Sequence, residues 1–175
     1  LRFLRGAYPR RSWGDHPNFG PQTRFYLDRH AMFREAMEVM GRLTQEGLDG
    51  ARPPESFGRD FARVATFFLQ ELTTHHHVEN SHYFPLLVRA EPRLARGFEI
   101  LARDHHAIHA ALDRFQQRAS RGLQALSASG GVPKAPLGAL ETELTRLGRL
   151  LDRHLQDEEE LVVPVMLDRG EALPT

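Results

Sequence analysis

The sequence contains no cysteine, which excludes disulfide bonds, thiolate metal ligands, iron–sulfur clusters and thiol redox chemistry. It has no apolar run near the roughly 18 residues that a membrane-spanning helix needs, and no charged-then-apolar signal segment. Its 23 Lys and Arg balance its 23 Asp and Glu, so no net field favours nucleic acid or an anionic membrane. These absences predict a cytoplasmic protein that binds neither nucleic acid nor a membrane. Its chemistry is expected to use nitrogen and oxygen donors at a local site.

Histidine is the residue type that is present in excess. The 175 residues, about one domain in length, include ten histidines, and only His16 lies outside segments with helical periodicity. A histidine content of this kind within amphipathic helices calls for a specific explanation.

Four segments carry apolar residues at three- and four-residue spacing, which predicts four long helices. The segments run from 21 to about 46, from 53 to about 90, from 92 to about 126 and from 136 to about 168. No segment alternates with a period of two. The pattern therefore predicts an all-α, antiparallel up-down four-helix bundle over residues 22–170. Residues 1–21 are rich in Pro, Gly and Arg without periodicity, so we expect an irregular N-terminal arm with no part in the chemistry.

The second and fourth helices share a His-x3-Glu motif followed by a proline ten residues after the histidine. The motif residues are His75, Glu79 and Pro85 in one helix and His154, Glu158 and Pro164 in the other. Residues four apart on a helix differ by about 40° in direction, so each His and Glu point at the same place in the core. The first and third helices align His30 with His105, and the third adds His109. The chain therefore reads as a duplicated helix pair, and the predicted metal ligands are His30, His75, Glu79, His105, His109, His154 and Glu158.

Five imidazoles and two carboxylates are enough ligands for two ions. If both carboxylates and one solvent-derived oxygen bridge the ions, three histidines complete one six-coordinate ion. The other two histidines leave its neighbour five-coordinate, with one position open for a small ligand. Imidazole with carboxylate suits iron, manganese or zinc. Ligand type alone therefore leaves the choice among these metals open.

Five further residues near the motifs are candidates for other roles. Three histidines lie about 100° or 200° from the ligand face and are expected to be solvated or to support the ligands: His76, His77 and His106. His82 follows His75 by seven residues, so it is a candidate extra ligand or proton donor, or a histidine beyond the site. Tyr83 is a candidate hydrogen or electron donor, although a packed aromatic side chain is the simpler interpretation.

The chain resembles the hemerythrin-like (HHE) family, whose pattern is a His on the first helix, His-x3-Glu on the second, His-x3-His on the third and a His with a carboxylate on the fourth. The match extends over about residues 22–168. It implies a non-haem site of two iron ions with an oxo or hydroxo bridge, in which Glu79 and Glu158 also bridge, with manganese and zinc as alternatives. The implied terminal ligands are His30 and His75 on the open iron, and His105, His109 and His154 on the closed one. Glu158 stands four residues after its histidine, where invertebrate oxygen carriers have Asp at five. This difference resembles the bacterial branch and disfavours reversible oxygen carriage.

Two classes of function fit these ligands. One is a module that binds or senses O2, NO or iron; the other is a redox enzyme acting on peroxide, NO or an organic substrate. A polar side chain in the ligand pocket would favour turnover, and a purely apolar pocket would favour carriage. A structural zinc site ranks third, because seven ligands exceed a closed tetrahedral set. Protein partners are not predicted.

Overall fold

The computed structural model describes residues 2–128 and 132–170, and this part of the chain contains helices and connections but no strand. The α-helices are α1 (Arg2–Ala7), α2 (Pro21–Leu48), α3 (Pro54–Val78), α4 (Phe84–Ala90), α5 (Ala95–Ala128) and α6 (Lys134–Arg169). Short 3-10 helices occupy Arg10–Ser12 and Pro92–Leu94, and a π-helix at Glu79–Tyr83 joins α3 to α4. The all-α prediction with four long helices is confirmed. The third helix is predicted to end at about residue 126, and α5 ends two residues later, at Ala128.

The chain divides into two compact units. The first unit comprises Leu1–Ala31, Thr74–His106 and Arg153–Thr175, and the second comprises Met32–Thr73 and Ala107–Asp152. Each unit takes one segment from each of the four long helices. All the predicted ligands except His109 belong to the first unit.

The first unit has a core that includes part of the N-terminal arm. Leu4 and Trp13 are buried against residues of α4, α5 and α6. The indole Nε1 of Trp13 donates to the Tyr8 carbonyl at 2.9 Å, and the Tyr8 hydroxyl donates to Asp168 Oδ1 at 2.7 Å. The arm is therefore ordered by packing and hydrogen bonds, and it contains α1 and a 3-10 helix rather than being irregular throughout.

The second unit is organised around phenylalanine. Five rings are fully buried, with neighbouring centroids 5.5 to 6.4 Å apart: Phe33, Phe57, Phe61, Phe68 and Phe115. Such ring pairs add to the free energy gained by burying their area. At the end of α2, Gly50 has φ +68°, a left-handed conformation that favours glycine, and it ends the helix before α3.

The π-helix at Glu79–Tyr83 has a cause in the sequence. Pro85 has no N–H to donate to the carbonyl of Ser81, and its ring crowds that carbonyl, so a wider turn is favoured there. The sequence predicts that Pro85 bends or ends its helix, and α3 does end at Val78. Pro164 is accommodated differently, because α6 continues past it to Arg169. None of the described helices is both long and apolar enough to cross a membrane.

Candidate metal centre

Two groups of side chains in the first unit bring potential ligand atoms within 4.8 Å of one another. The first group is His30, His75, Glu79 and Glu158, and the second group is His76, His105 and His154. Six of the seven are buried and His75 is half-buried. The sequence motifs therefore converge in the core, as their four-residue spacing requires.

Both carboxylates of the first group also lie close to a histidine of the second group. Oε1 of Glu79 is 3.0 Å from Nε2 of His75, and Oε2 of the same carboxylate is 3.6 Å from Nε2 of His105. Oε2 of Glu158 is 3.5 Å from Nε2 of His30 and 3.6 Å from Nε2 of His154. Each carboxylate thus contacts one histidine of each group, which is the arrangement that bridging carboxylates require.

Two side chains fix the orientation of ligand imidazoles. Nδ1 of His30 donates to Oε1 of Glu159 at 3.1 Å, and Nδ1 of His105 donates to Oδ1 of Asn80 at 3.0 Å. Because a carboxylate and an amide oxygen only accept, each Nδ1 carries the proton and each Nε2 presents a lone pair. Nε2 of His105 lies 3.1 Å from Nε2 of His154, so nitrogen atoms converge on one point.

These supporting residues follow the internal repeat. Asn80 comes directly after Glu79, and Glu159 comes directly after Glu158. The residue after each motif glutamate thus holds the histidine that the repeat aligns in the first or third helix. Sequence analysis did not single out Asn80 or Glu159, although their equivalent positions in the repeat are a signal that could have found them.

The N-terminal arm also reaches this region, contrary to expectation. Glu159, only 1% exposed, accepts a hydrogen bond from Nη2 of Arg10, whose side chain is 53% exposed. The guanidinium also lies over the Trp13 ring, 5.2 Å from its centroid. A buried carboxylate needs a partner, so the arm completes the support of His30.

The electrostatics of the groups favour the binding of a cation. Burial, and then neighbouring His30, lower the pKa of His75 to about 2 and of His154 to about 4, so both rings are neutral. Burial and the adjacent carboxylate of Glu158 raise the pKa of Glu79. Burial also raises the pKa of Glu158, against an opposing effect of His30. Two buried carboxylates repel each other, and a cation between them would reverse that repulsion.

A second observation, the lack of hydrogen-bond partners, also suits bound metal. Both oxygens of Glu79 and Glu158, Nε2 of His30 and Nδ1 of His154 are buried without a hydrogen-bond partner among the described residues. Leaving several buried polar atoms unsatisfied is costly unless something else binds them. Neutral imidazoles with carboxylates suit iron, manganese and zinc.

His76 and His109 are placed differently from the other predicted and neighbouring residues, and the role of His109 as a ligand stays a prediction. His76, expected to be solvated or supporting, is 0% exposed and stacks on His105 with centroids 4.0 Å apart. His109 is half-buried, lies in the second unit and belongs to neither group. Only the solvated alternative for His76 was wrong, because a core-facing helix buries a stripe at least 100° wide and two successive histidines can both point inward. His77 and His106 are exposed.

The candidate catalytic residues are placed as follows. His82 is exposed and outside both groups, with its ring edge-on to Tyr83 at 5.5 Å. Tyr83 is half-buried, and the catalytic role of both residues stays a prediction.

Sequence analysis missed Tyr26, whose ring packs against His30 with centroids 4.5 Å apart. Burial and then Glu158 and Glu79 raise the pKa of the Tyr26 hydroxyl well above its usual value, so the hydroxyl keeps its proton.

A cavity of about 220 Å³ lies beside the first group. Its lining includes Tyr26, His75 and Glu79, and most of the remaining wall is apolar. None of the second group's histidines is among its lining residues. A small molecule in this cavity would meet the group that has two histidines rather than three.

Comparison with known proteins identifies the family. The family model described as Hemerythrin HHE cation binding domain matches residues 23–166. Searches of curated proteins and of solved structures returned no significant match. The match covers every residue of the two groups, and the chain belongs to the hemerythrin HHE cation-binding domain family.

Proposed function

We propose that the chain is a non-haem di-iron protein that binds O2 or reactive oxygen and nitrogen species. One ion would be held by His30 and His75, the other by His76, His105 and His154, with Glu79 and Glu158 bridging. The observation that carries the proposal is the position of each carboxylate, within 3.6 Å of a histidine nitrogen from both groups. This ligand set replaces the expected His109 with His76.

The open position belongs to the ion with two histidines in this proposal. His75 and Glu79 line the cavity, so an incoming molecule approaches from that side. Bound iron would supply a coordination position for the small molecule and one-electron redox chemistry. The chain's own residues do the rest: the apolar wall disfavours water, and Glu159 holds His30 in the tautomer that presents Nε2.

A redox enzyme acting on peroxide, NO or an organic substrate is the second candidate, and the polar groups of the cavity favour it. The Tyr26 hydroxyl is protonated and close to both carboxylates, so it can donate a hydrogen bond or a proton from its oxygen to a bound molecule. Tyr83 also lines the cavity. A carrier needs no such donor, whereas the reduction of peroxide or of NO consumes protons.

Metal content per chain, measured with the optical spectrum before and after dithionite and then air or peroxide, tests the proposal. About two irons and a near-ultraviolet oxo-bridge band that bleaches and returns are expected. The rate and products of the return would separate carriage from turnover. One zinc, or no metal after iron-replete expression, would contradict the proposal.

Matched variants test the ligand assignment. His76→Ala should lose metal, whereas His109→Ala and the exposed His77→Ala should retain it. Loss in His109→Ala with retention in His76→Ala would restore the assignment implied by family resemblance and refute ours.

A further inference from the structure

The cavity beside the first group has mostly apolar walls and a polar inner end, and its exposed lining residues include Gln22 and Thr74. Phe25, which is 63% exposed, and Val78, which is 38% exposed, line its outer part. The buried side chains of Leu87 and Met166 contribute to its walls. His75, Glu79 and Tyr26 supply polar atoms next to the proposed ion. This cavity is therefore amphipathic along its length.

The size of the cavity exceeds what a diatomic molecule needs. An apolar protein cavity of about 150 Å³ is enough to bind benzene, and this one has about 220 Å³. Ligand sites typically combine mostly apolar walls with a few convergent polar groups, and that is the composition here. The volume allows one substituted aromatic ring or a branched alkyl group of similar size.

We propose that the cavity binds a small, mostly apolar organic molecule about the size of a substituted benzene, with a hydroxyl or hydroperoxyl end toward Tyr26 and Glu79. The apolar body is held by Leu87, Met166 and their neighbours, and the polar end meets the side chains of Tyr26 and Glu79. This inference rests on the proposed function for the chemistry that the molecule would undergo, but the binding itself requires no metal.

The four methionines allow a direct test. Met166 lines the cavity, whereas Met32, Met37 and Met40 lie in the second unit and serve as internal controls. The purified full chain, labelled with ¹³C at the methionine methyl groups and loaded with zinc to keep resonances sharp, is titrated with 4-fluorotoluene. We expect a saturable shift of the Met166 methyl resonance alone, with Met166→Leu used for assignment.

Two matched variants locate the site. Val78→Trp fills the entrance and should weaken binding of 4-fluorotoluene at least tenfold. Phe67→Ala removes another exposed ring, 44% exposed and outside the cavity, and should leave binding unchanged. The Met166 measurement on the unmodified chain stands even if Val78→Trp does not fold.

The outcomes separate this inference from the proposed metal centre. No shift at Met166, or equal shifts at Met37, which borders a different cavity, would overturn the inference even if two irons bind. A saturable Met166 shift in a chain that binds no iron would retain the cavity assignment and refute the di-iron proposal. Unchanged affinity in a folded Val78→Trp variant would also overturn the inference.

Discussion

Replacing Glu159 by leucine should weaken metal binding without weakening the fold. Glu159 accepts from Nδ1 of His30 at 3.1 Å and is 1% exposed, so leucine leaves the imidazole without its orienting partner. Loss of such a supporting carboxylate typically costs 10–100-fold in metal affinity, or about 1.4–2.7 kcal/mol. The Arg10 partner is half-exposed, so solvent compensates it and little folding stability depends on that ion pair.

The assay is competition for metal against a chromophoric chelator, with urea unfolding of the metal-free protein measured in parallel. Glu160→Leu is the matched control, since it makes the same change one residue later in α6. Glu159→Gln keeps an acceptor for His30 and should lie between the wild type and the leucine variant. Wild-type affinity in Glu159→Leu, or an equal loss in Glu160→Leu, would refute the reasoning. If the free energy of unfolding of Glu159→Leu fell by as much as its free energy of metal binding, the loss of affinity would come from weakened folding and not from a misoriented His30.

Three further predictions concern packing, pH and the second supporting residue. Phe68→Ala should cost about 3–5 kcal/mol in urea unfolding because its ring is fully buried, whereas the exposed Phe67→Ala should change stability by less than about 0.5 kcal/mol. Hydrogen bonds from Arg93 and Arg169 lower the pKa of Glu91 to about 2 from its ordinary 4.5, so its stabilisation is complete above pH 4.5 and is lost as pH falls toward 2. The stability difference between wild type and Glu91→Gln, about 1–2 kcal/mol at pH 6 after solvent screening of the half-exposed arginines, should shrink over that window; a constant difference would contradict it. Asn80→Ala should reduce metal affinity about tenfold by releasing Nδ1 of His105, measured by chelator competition, and an unchanged affinity would remove this role.

Most of the fold could be predicted because the signals are local. Apolar spacing located four long helices, and prolines and glycines marked their ends to within a few residues. The exception in the second helix also has a local cause, because Pro85 favours a wider turn at the π-helix. The arm was less predictable, since its order depends on long-range contacts such as the hydrogen bond from Tyr8 to Asp168.

The sequence indicated which helix faces carry the candidate site, but not where along the helices the site lies. A four-residue spacing states that two side chains share a helix face, so the His-x3-Glu pairs were found directly. It does not state how far along the helix the site lies, because that is set by how the helices register in the fold. His109 shares the face of His105 yet falls in the second unit, while His76 lies one residue from a ligand and turns into the second group.

The two halves of the repeat differ at two positions near the site, and both differences distinguish one proposed ion from the other. His76 has Leu155 as its equivalent in the fourth helix, so only one of the two proposed ions gains a third histidine. Asn80 has Glu159 as its equivalent. The charged carboxylate of Glu159 accepts from His30, which would hold one proposed ion, whereas the neutral amide of Asn80 accepts from His105, which would hold the other. A carboxylate behind an imidazole makes that ligand more basic than an amide does. The cavity reaches the same group. In the proposed two-ion centre, ligand number, ligand basicity and access would therefore all favour reactivity at the ion held by His30 and His75.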